Sequence, residues 1–140
     1  MPITGGESLA TLEEFRPYME RAAYGIVQPD AALCGITEAM RIARMAHQYG
    51  IDTCPHSWHN GLMAVEHAHY VAALPNPRVL ELCMIQGPLQ WGILAEKPHI
   101  EDGRLILPDR PGLGVDLASG VEKTFPYIEG HYAIQVHRSS

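Results

Sequence analysis

The 140-residue sequence predicts an α/β fold on a parallel sheet, from three observations. Short β-type runs alternate with helical patterns over residues 1–85, and such alternation argues for parallel strands joined by helical crossovers. Glu7, Asp30, His56 and Glu81 recur at spacings of 23, 26 and 25 residues. Each of the four sits at, or just past, the C-terminal end of a predicted strand, where a (β/α)8 barrel places its reactive groups.

The elements follow in order. A short apolar start runs into Gly5-Gly6-Glu7. Arg16-Pro17 predicts a helix with Pro17 at its first position, running through Met19 and Ala22 to about Tyr24. Gly25-Ile26-Val27-Gln28 is a strand stopped by Pro29-Asp30, and Leu33-Cys34-Gly35 reads as loop. Thr37 is the expected N-cap of a helix through Met40, Ala43 and Ala46, ended by Gly50. Ile51-Asp52-Thr53-Cys54 is the next strand, stopped by Pro55-His56. A helix over residues 61–73 closes at Pro75-Asn76-Pro77, and residues 78–82 form a further strand. The chain then changes character. Residues 86–140 read as a second part, with a hairpin turning at Asp102-Gly103 and a rigid segment from Pro108 to Gly114. Its alternation at Tyr132, Ile134 and Val136 suggests an edge strand.

Composition narrows the function. The net charge is −6 and the basic residues do not cluster, which disfavours nucleic acid and anionic membranes as partners. No apolar run approaches the roughly 20 residues of a membrane span, and the N-terminus lacks the features of a signal peptide. Cys34, Cys54 and Cys83 are an odd number in apolar surroundings, which reads as reduced, buried thiols in a cytoplasmic protein. Met40, Met45, Met63 and Met84 read as core or interface packing.

The strand ends carry the chemistry. Neighbouring strands lie about 4.8 Å apart, so Asp30 and His56 can meet. A carboxylate on an imidazole orients the ring, fixes its tautomer and raises its basicity, which makes His56 a candidate general base. The same two residues also fit a helix-capping Asp and an ordinary loop His. Glu7, after two glycines, is either a hard-cation ligand or an N-cap for the segment from Ser8. Glu81 lies in an apolar run, where a carboxylate must be paired or protonated; it either faces substrate or points outward. The Cys54–His59 stretch has soft-metal donors but no second ligand pair at a zinc spacing. His67 and His69 cannot share a helix face, so one is expected buried and one exposed. His47, His99, His131 and His137 default to the surface.

Six segments, in order, resemble the enolase superfamily: Pro2-Ile3-Thr4-Gly5-Gly6-Glu7, Val27-Gln28-Pro29-Asp30, Gly35-Ile36-Thr37-Glu38, Pro55-His56-Ser57, Pro75-Asn76 with Leu80-Glu81, and Pro111-Gly112-Leu113-Gly114-Val115. Within it they are similar to the mandelate racemase/muconate lactonizing enzyme family, especially its mandelate racemase subgroup with the acid-sugar dehydratases. The resemblance implies the C-terminal half of a (β/α)8 TIM-type barrel, strands 5–8, over residues 1–85. Residues 86–140 would be a hairpin and tail that pack on the barrel and capping domain. It implies abstraction of the α-proton of a carboxylate substrate, giving an enediolate stabilised by Mg2+. Glu7 would be a metal ligand, His56 the base with Asp30 as its dyad partner, and Glu81 a hydrogen-bond partner of the enediolate.

The family often has two glycines where this chain has Cys34-Gly35, a loop change that bears on no catalytic role. The capping domain, the first four strands and two of the three metal carboxylates have no counterpart in the sequence. The expectation is therefore a fragment with an incomplete Mg2+ site, either oligomeric or completed by a missing N-terminal portion. Its best-fitting activity is acid-sugar dehydration. The alternatives are a 2-hydroxy-acid racemase or epimerase, or a non-catalytic half-barrel remnant acting as an assembly partner.

Overall fold

The computed structural model describes residues 1–85 and 87–129. Strand β1 (Thr4–Gly5) leads to helix α1 (Leu12–Glu20). This helix starts at Leu12 rather than Pro17 because Thr11 and Glu14 form a capping box. The Thr11 hydroxyl accepts from the Glu14 N–H at 3.3 Å, and the Glu14 carboxylate accepts from the Thr11 N–H at 3.0 Å. Pro17 is thereby carried inside the helix. The helix also stops before Tyr24, with Ala22 in the left-handed region at φ 49°.

Strand β2 (Ile26–Val27) is followed by a single helical turn, α2 (Ala31–Cys34), where the sequence predicts a loop. Asp30 caps that turn. Gly35, at φ 78°, joins it to α3 (Ile36–Gln48). Its N–H donates to the Ala31 carbonyl at 2.8 Å, and its own carbonyl accepts from the Ala39 N–H at 3.0 Å. Gly35 therefore replaces Thr37 as the cap, and Thr37 falls in the first turn. Strand β3 (Asp52–Thr53) precedes α4 (Gly61–Ala72), which Asn60 caps by accepting from the Leu62 and Met63 N–H groups.

The three strands pair in the order β1-β2-β3, all parallel, with Gly5 opposite Val27 and Val27 opposite Thr53. The fourth predicted strand does not form a ladder. Residues 78–82 carry no strand, and contact with β3 is reduced to one parallel bridge between Thr53 and Pro77. Pro77 has no N–H to extend that pairing. Side chains hold the segment instead. The Asp52 carboxylate accepts from Asn76 at 2.9 Å and from the Arg78 Nε–H at 2.6 Å, and the Cys54 thiol donates to the Val79 carbonyl at 3.4 Å.

Beyond residue 86 come α5 (Pro88–Trp91), the antiparallel pair β4 (Ile100–Glu101) and β5 (Arg104–Leu105), and α6 (Val121–Thr124). The hairpin turns at Asp102-Gly103 with both φ values positive, as a tight primed turn requires. The alternation at Tyr132, Ile134 and Val136 lies outside the described residues.

The core grows from helix faces laid on the sheet. Leu12, Phe15 and Met19 of α1 pack with Val27, Ile42, Ala46 and Ile51. Ala39 and Ala43, on the same stripe of α3, meet Tyr70 and Leu74, and the buried Tyr70 hydroxyl donates to the Ala39 carbonyl at 2.9 Å. Val65 of α4 packs on Ile93 and Leu94. The three cysteines are free but only half-buried. Met40 and Met45 pack against the core, whereas Met84 is exposed. Among the described residues, no helix is long and apolar enough to cross a membrane.

Gly61 marks the tightest approach between α4 and α5. A Cβ there would fall on the Gln90 carbonyl oxygen and lie 2.8 Å from the Trp91 ring. Backbone on the far side cannot yield as a flexible side chain would. Gly61→Ala is expected to destabilise by about 1–3 kcal/mol in urea unfolding. An unchanged midpoint would contradict this packing.

Candidate active site

Parallel strands deliver their C-terminal ends to one edge of the sheet. Glu7 lies two residues past β1, Asp30 three past β2, and His56 three past β3. Their side chains meet there. The Asp30 carboxylate is 3% exposed and divides its two oxygens. Oδ1 accepts from the Ala32 N–H at 2.9 Å, which caps α2. Oδ2 faces His56 Nδ1 at 2.9 Å and His59 Nε2 at 2.6 Å. The helix cap and the histidine partner are thus one residue using both of its oxygens.

Burial on its own raises the Asp30 carboxyl, but hydrogen bonds from His67, His56 and His59 outweigh it and hold the group well below the usual carboxylate range. An ionised carboxylate only accepts, so the two ring nitrogens that face Oδ2 carry hydrogens. His56 is therefore held as the Nδ1–H tautomer with its Nε2 lone pair free. His59 is held the other way round, with Nε2–H donating.

His67 supports the carboxylate from behind. Its ring is fully buried on α4, and Nδ1–H donates to the Met63 carbonyl at 2.7 Å. Nε2 lies 3.0 Å from the Ala31 nitrogen and 3.2 Å from Asp30 Oδ1. The neutral ring accepts the Ala31 N–H there; a protonated ring would turn the same atom into a donor to Asp30. Burial opposes charge on His67, yet the Asp30 and Met63 hydrogen bonds prevail and raise its proton affinity.

Glu7 approaches from the other side. Its Oε2 is 3.9 Å from His56 Nε2, and its side chain is 61% exposed. Glu81 does not point outward. Its Oε2 accepts from the Ser57 N–H at 2.8 Å and so fixes the loop that carries His56. The Ser57 hydroxyl beside it is buried and has no partner among the described residues.

Cys54 takes no part in this cluster, since its thiol bonds to Val79; the donors that converge from that stretch are His56 and His59. His69 is half-buried, with Nε2 3.0 Å from the Leu113 carbonyl, so it is less exposed than the helix face suggested. His47 is exposed, and exposed His99 pairs with Glu101 at 3.1 Å. His131 and His137 lie outside the described residues.

His67 has no place in the sequence-predicted site, and His59 enters it only as the end of the Cys54–His59 soft-metal stretch. For His67 a signal exists in its position on the packed face of α4. For His59 the only signal is its three-residue spacing from His56, and the loop geometry that turns it onto Asp30 has no sequence pattern.

Residues 1–121 match the family model described as enolase C-terminal domain-like. The chain belongs to the enolase superfamily, within its mandelate racemase and muconate lactonizing branch. It is similar to the arabinonate dehydratase of Saccharolobus solfataricus, at 37% identity over 86% of this chain and 32% of the relative. It is also similar to the D-galactarolactone cycloisomerase of Agrobacterium fabrum, at 28% identity over 84% of this chain and 33% of that protein. A magnesium- and fumarate-bound structure from Burkholderia xenovorans LB400, described as an L-alanine-DL-glutamate epimerase, superposes with TM-score 0.82 at 30% identity, over 89% of this chain and 31% of that one. The chain spans about a third of the length of the curated relatives it matches. Magnesium use is a feature of the superfamily. Here Glu7 fits it as a single ligand, being an exposed hard oxygen donor at the edge of the histidine cluster.

The depressed Asp30 carboxyl fixes the sign of an acid effect. Its contribution to stability is complete above the ordinary carboxylate range and is lost as pH falls below about 4 towards the folded value. The stability advantage of the unaltered chain over Asp30→Asn should therefore shrink in urea unfolding below about pH 4. A gap independent of pH would contradict the ionised, histidine-bound carboxylate.

Proposed function

We propose that the chain supplies the base of an acid-sugar dehydratase. In this proposal residues 1–85 are strands 5–8 of a (β/α)8 barrel and residues 86–140 its C-terminal tail. The observation that carries it is the orientation of His56: Nδ1–H is held by buried Asp30, and Nε2 is free beside Glu7.

His56 Nε2 takes the α-proton of the substrate carboxylate, and Asp30 stabilises the imidazolium that forms. The electron pair left on the α-carbon then expels the β-hydroxyl. The same imidazolium protonates it, so water leaves, the base is regenerated, and the remaining enol tautomerises to a 2-keto-3-deoxy acid. Glu7 would hold Mg2+, whose charge lowers the cost of placing a second negative charge on the substrate carboxylate. Glu81 contributes through Ser57; facing an enediolate oxygen directly, it helps only while carrying a proton, because two anions repel. The remaining ligands of an octahedral ion would come from the first four barrel strands, in this or another polypeptide.

Dehydration is favoured over racemisation by the likeness to arabinonate dehydratase. Racemisation needs a second group on the opposite face of the substrate, which residues outside this chain would supply.

In the assembled enzyme, screened over acid sugars, His56→Asn should reduce dehydration about 10²- to 10⁴-fold. Unchanged turnover would remove His56 from the mechanism. The 140-residue chain by itself should bind Mg2+ more weakly than about 1 mM by calorimetry, because one carboxylate is a poor octahedral site. Tighter binding by this chain, with turnover, would show that Glu7 needs no outside ligands.

A further inference from the structure

We infer that Asp30, His56 and His59 form a site for a borderline-soft divalent cation such as Zn2+, separate from the hard-ion position at Glu7. The donor atoms all lie within 4.8 Å of one another. His56 Nδ1 and His59 Nε2 converge on a single oxygen, Asp30 Oδ2, at 2.9 and 2.6 Å. Zinc bonds nitrogen and oxygen at about 2.0–2.2 Å, which puts tetrahedral ligands roughly 3.3 Å apart. Against the observed 2.9 and 2.6 Å, that spacing asks for separations longer by about 0.4 and 0.7 Å.

The cluster is built as metal sites are built. Asp30 is anchored by the cap of α2, where its other oxygen accepts the Ala32 N–H at 2.9 Å, the kind of outer hydrogen bonding that orients ligands. Access comes from the loop side, where the His59 side chain is a third exposed and Trp58 is exposed. Two imidazoles and one carboxylate select Zn2+ or Co2+ over Mg2+. A solvent oxygen completes the tetrahedron.

Occupation has a consequence for the His56 ring. A metal on Nδ1 displaces the proton there, and the neutral ring carries it on Nε2 instead. His59 makes the opposite change, from Nε2–H to Nδ1–H, so neither ring gains or loses a proton overall. The lone pair at His56 Nε2 is thereby removed. A borderline-soft ion at this site is accordingly an inhibitor of the proton abstraction proposed above. The loss of base function rests on that proposal; binding itself does not.

The test is a Co2+ titration of the 140-residue chain followed by visible absorption and by paramagnetic effects on histidine ring protons. One equivalent should produce tetrahedral bands and perturb the His56 and His59 rings. Millimolar Mg2+ should not displace it. His59→Gln should weaken binding more than about tenfold, whereas Cys54→Ser and His47→Gln should leave it unchanged. The site is overturned if binding survives His59→Gln, if it is lost in Cys54→Ser, or if the perturbed ring is that of His99. Should His59→Gln lose its fold by circular dichroism, the ring-proton effects in the unaltered chain decide alone. Failure of this titration leaves dehydration by His56 to its own assay, since nothing catalytic is read here.

Discussion

A buried carboxylate has to be met by donors, and Asp30 is met by three. The Ala32 N–H faces one oxygen; His56 and His59 face the other. Without them, burial would favour the neutral acid. With them the carboxylate stays ionised, and its charge dictates where the hydrogens sit on the surrounding rings. The free Nε2 of His56 is a product of that dictation rather than of any contact His56 Nε2 itself makes within hydrogen-bond range.

The sheet makes this arrangement possible. Pairing of β1, β2 and β3 in parallel register puts three successive strand ends side by side. The helices between them are locked by residues close to the site. Asp30 caps α2, and Glu38 of α3 accepts from the Leu12 N–H at 2.8 Å, which ties the start of α1 to the start of α3. His67 and Tyr70 reach from α4 to Ala31 and Ala39 respectively. Folding and site assembly therefore depend on the same polar contacts. A loss of Asp30 acts on both, which is why stability and chemistry must be measured separately in variants of this residue.

The legible part of the chain is the part with periodicity. The alternation of strands and helices, the long helix ended by Gly50, the helix closed before Pro75 and the Asp102-Gly103 turn all carry local signals, and all are present. Local signals mislead where two of them compete. Thr11 with Glu14 outweighs Pro17 as a helix start, and Gly35 takes the cap from Thr37 because it can hold a positive φ between two helices. Residues 78–82 look like a strand by composition, yet Pro77 limits the pairing to a single bridge. In the site, the strand-end spacing identified Glu7, Asp30, His56 and Glu81 as residues to watch. It could not register His59 or His67, whose contributions come from a loop conformation and from a helix face turned inward.

The most direct test of this account is the tautomeric state of the histidines, read from long-range nitrogen–proton correlations in the NMR spectrum of the metal-free chain at neutral pH. His56 should appear as the Nδ1–H form and His59 as the Nε2–H form, and both preferences should relax in Asp30→Asn. A His56 ring that carries its hydrogen on Nε2, or one indifferent to the loss of the Asp30 charge, would contradict the organising role given to that carboxylate.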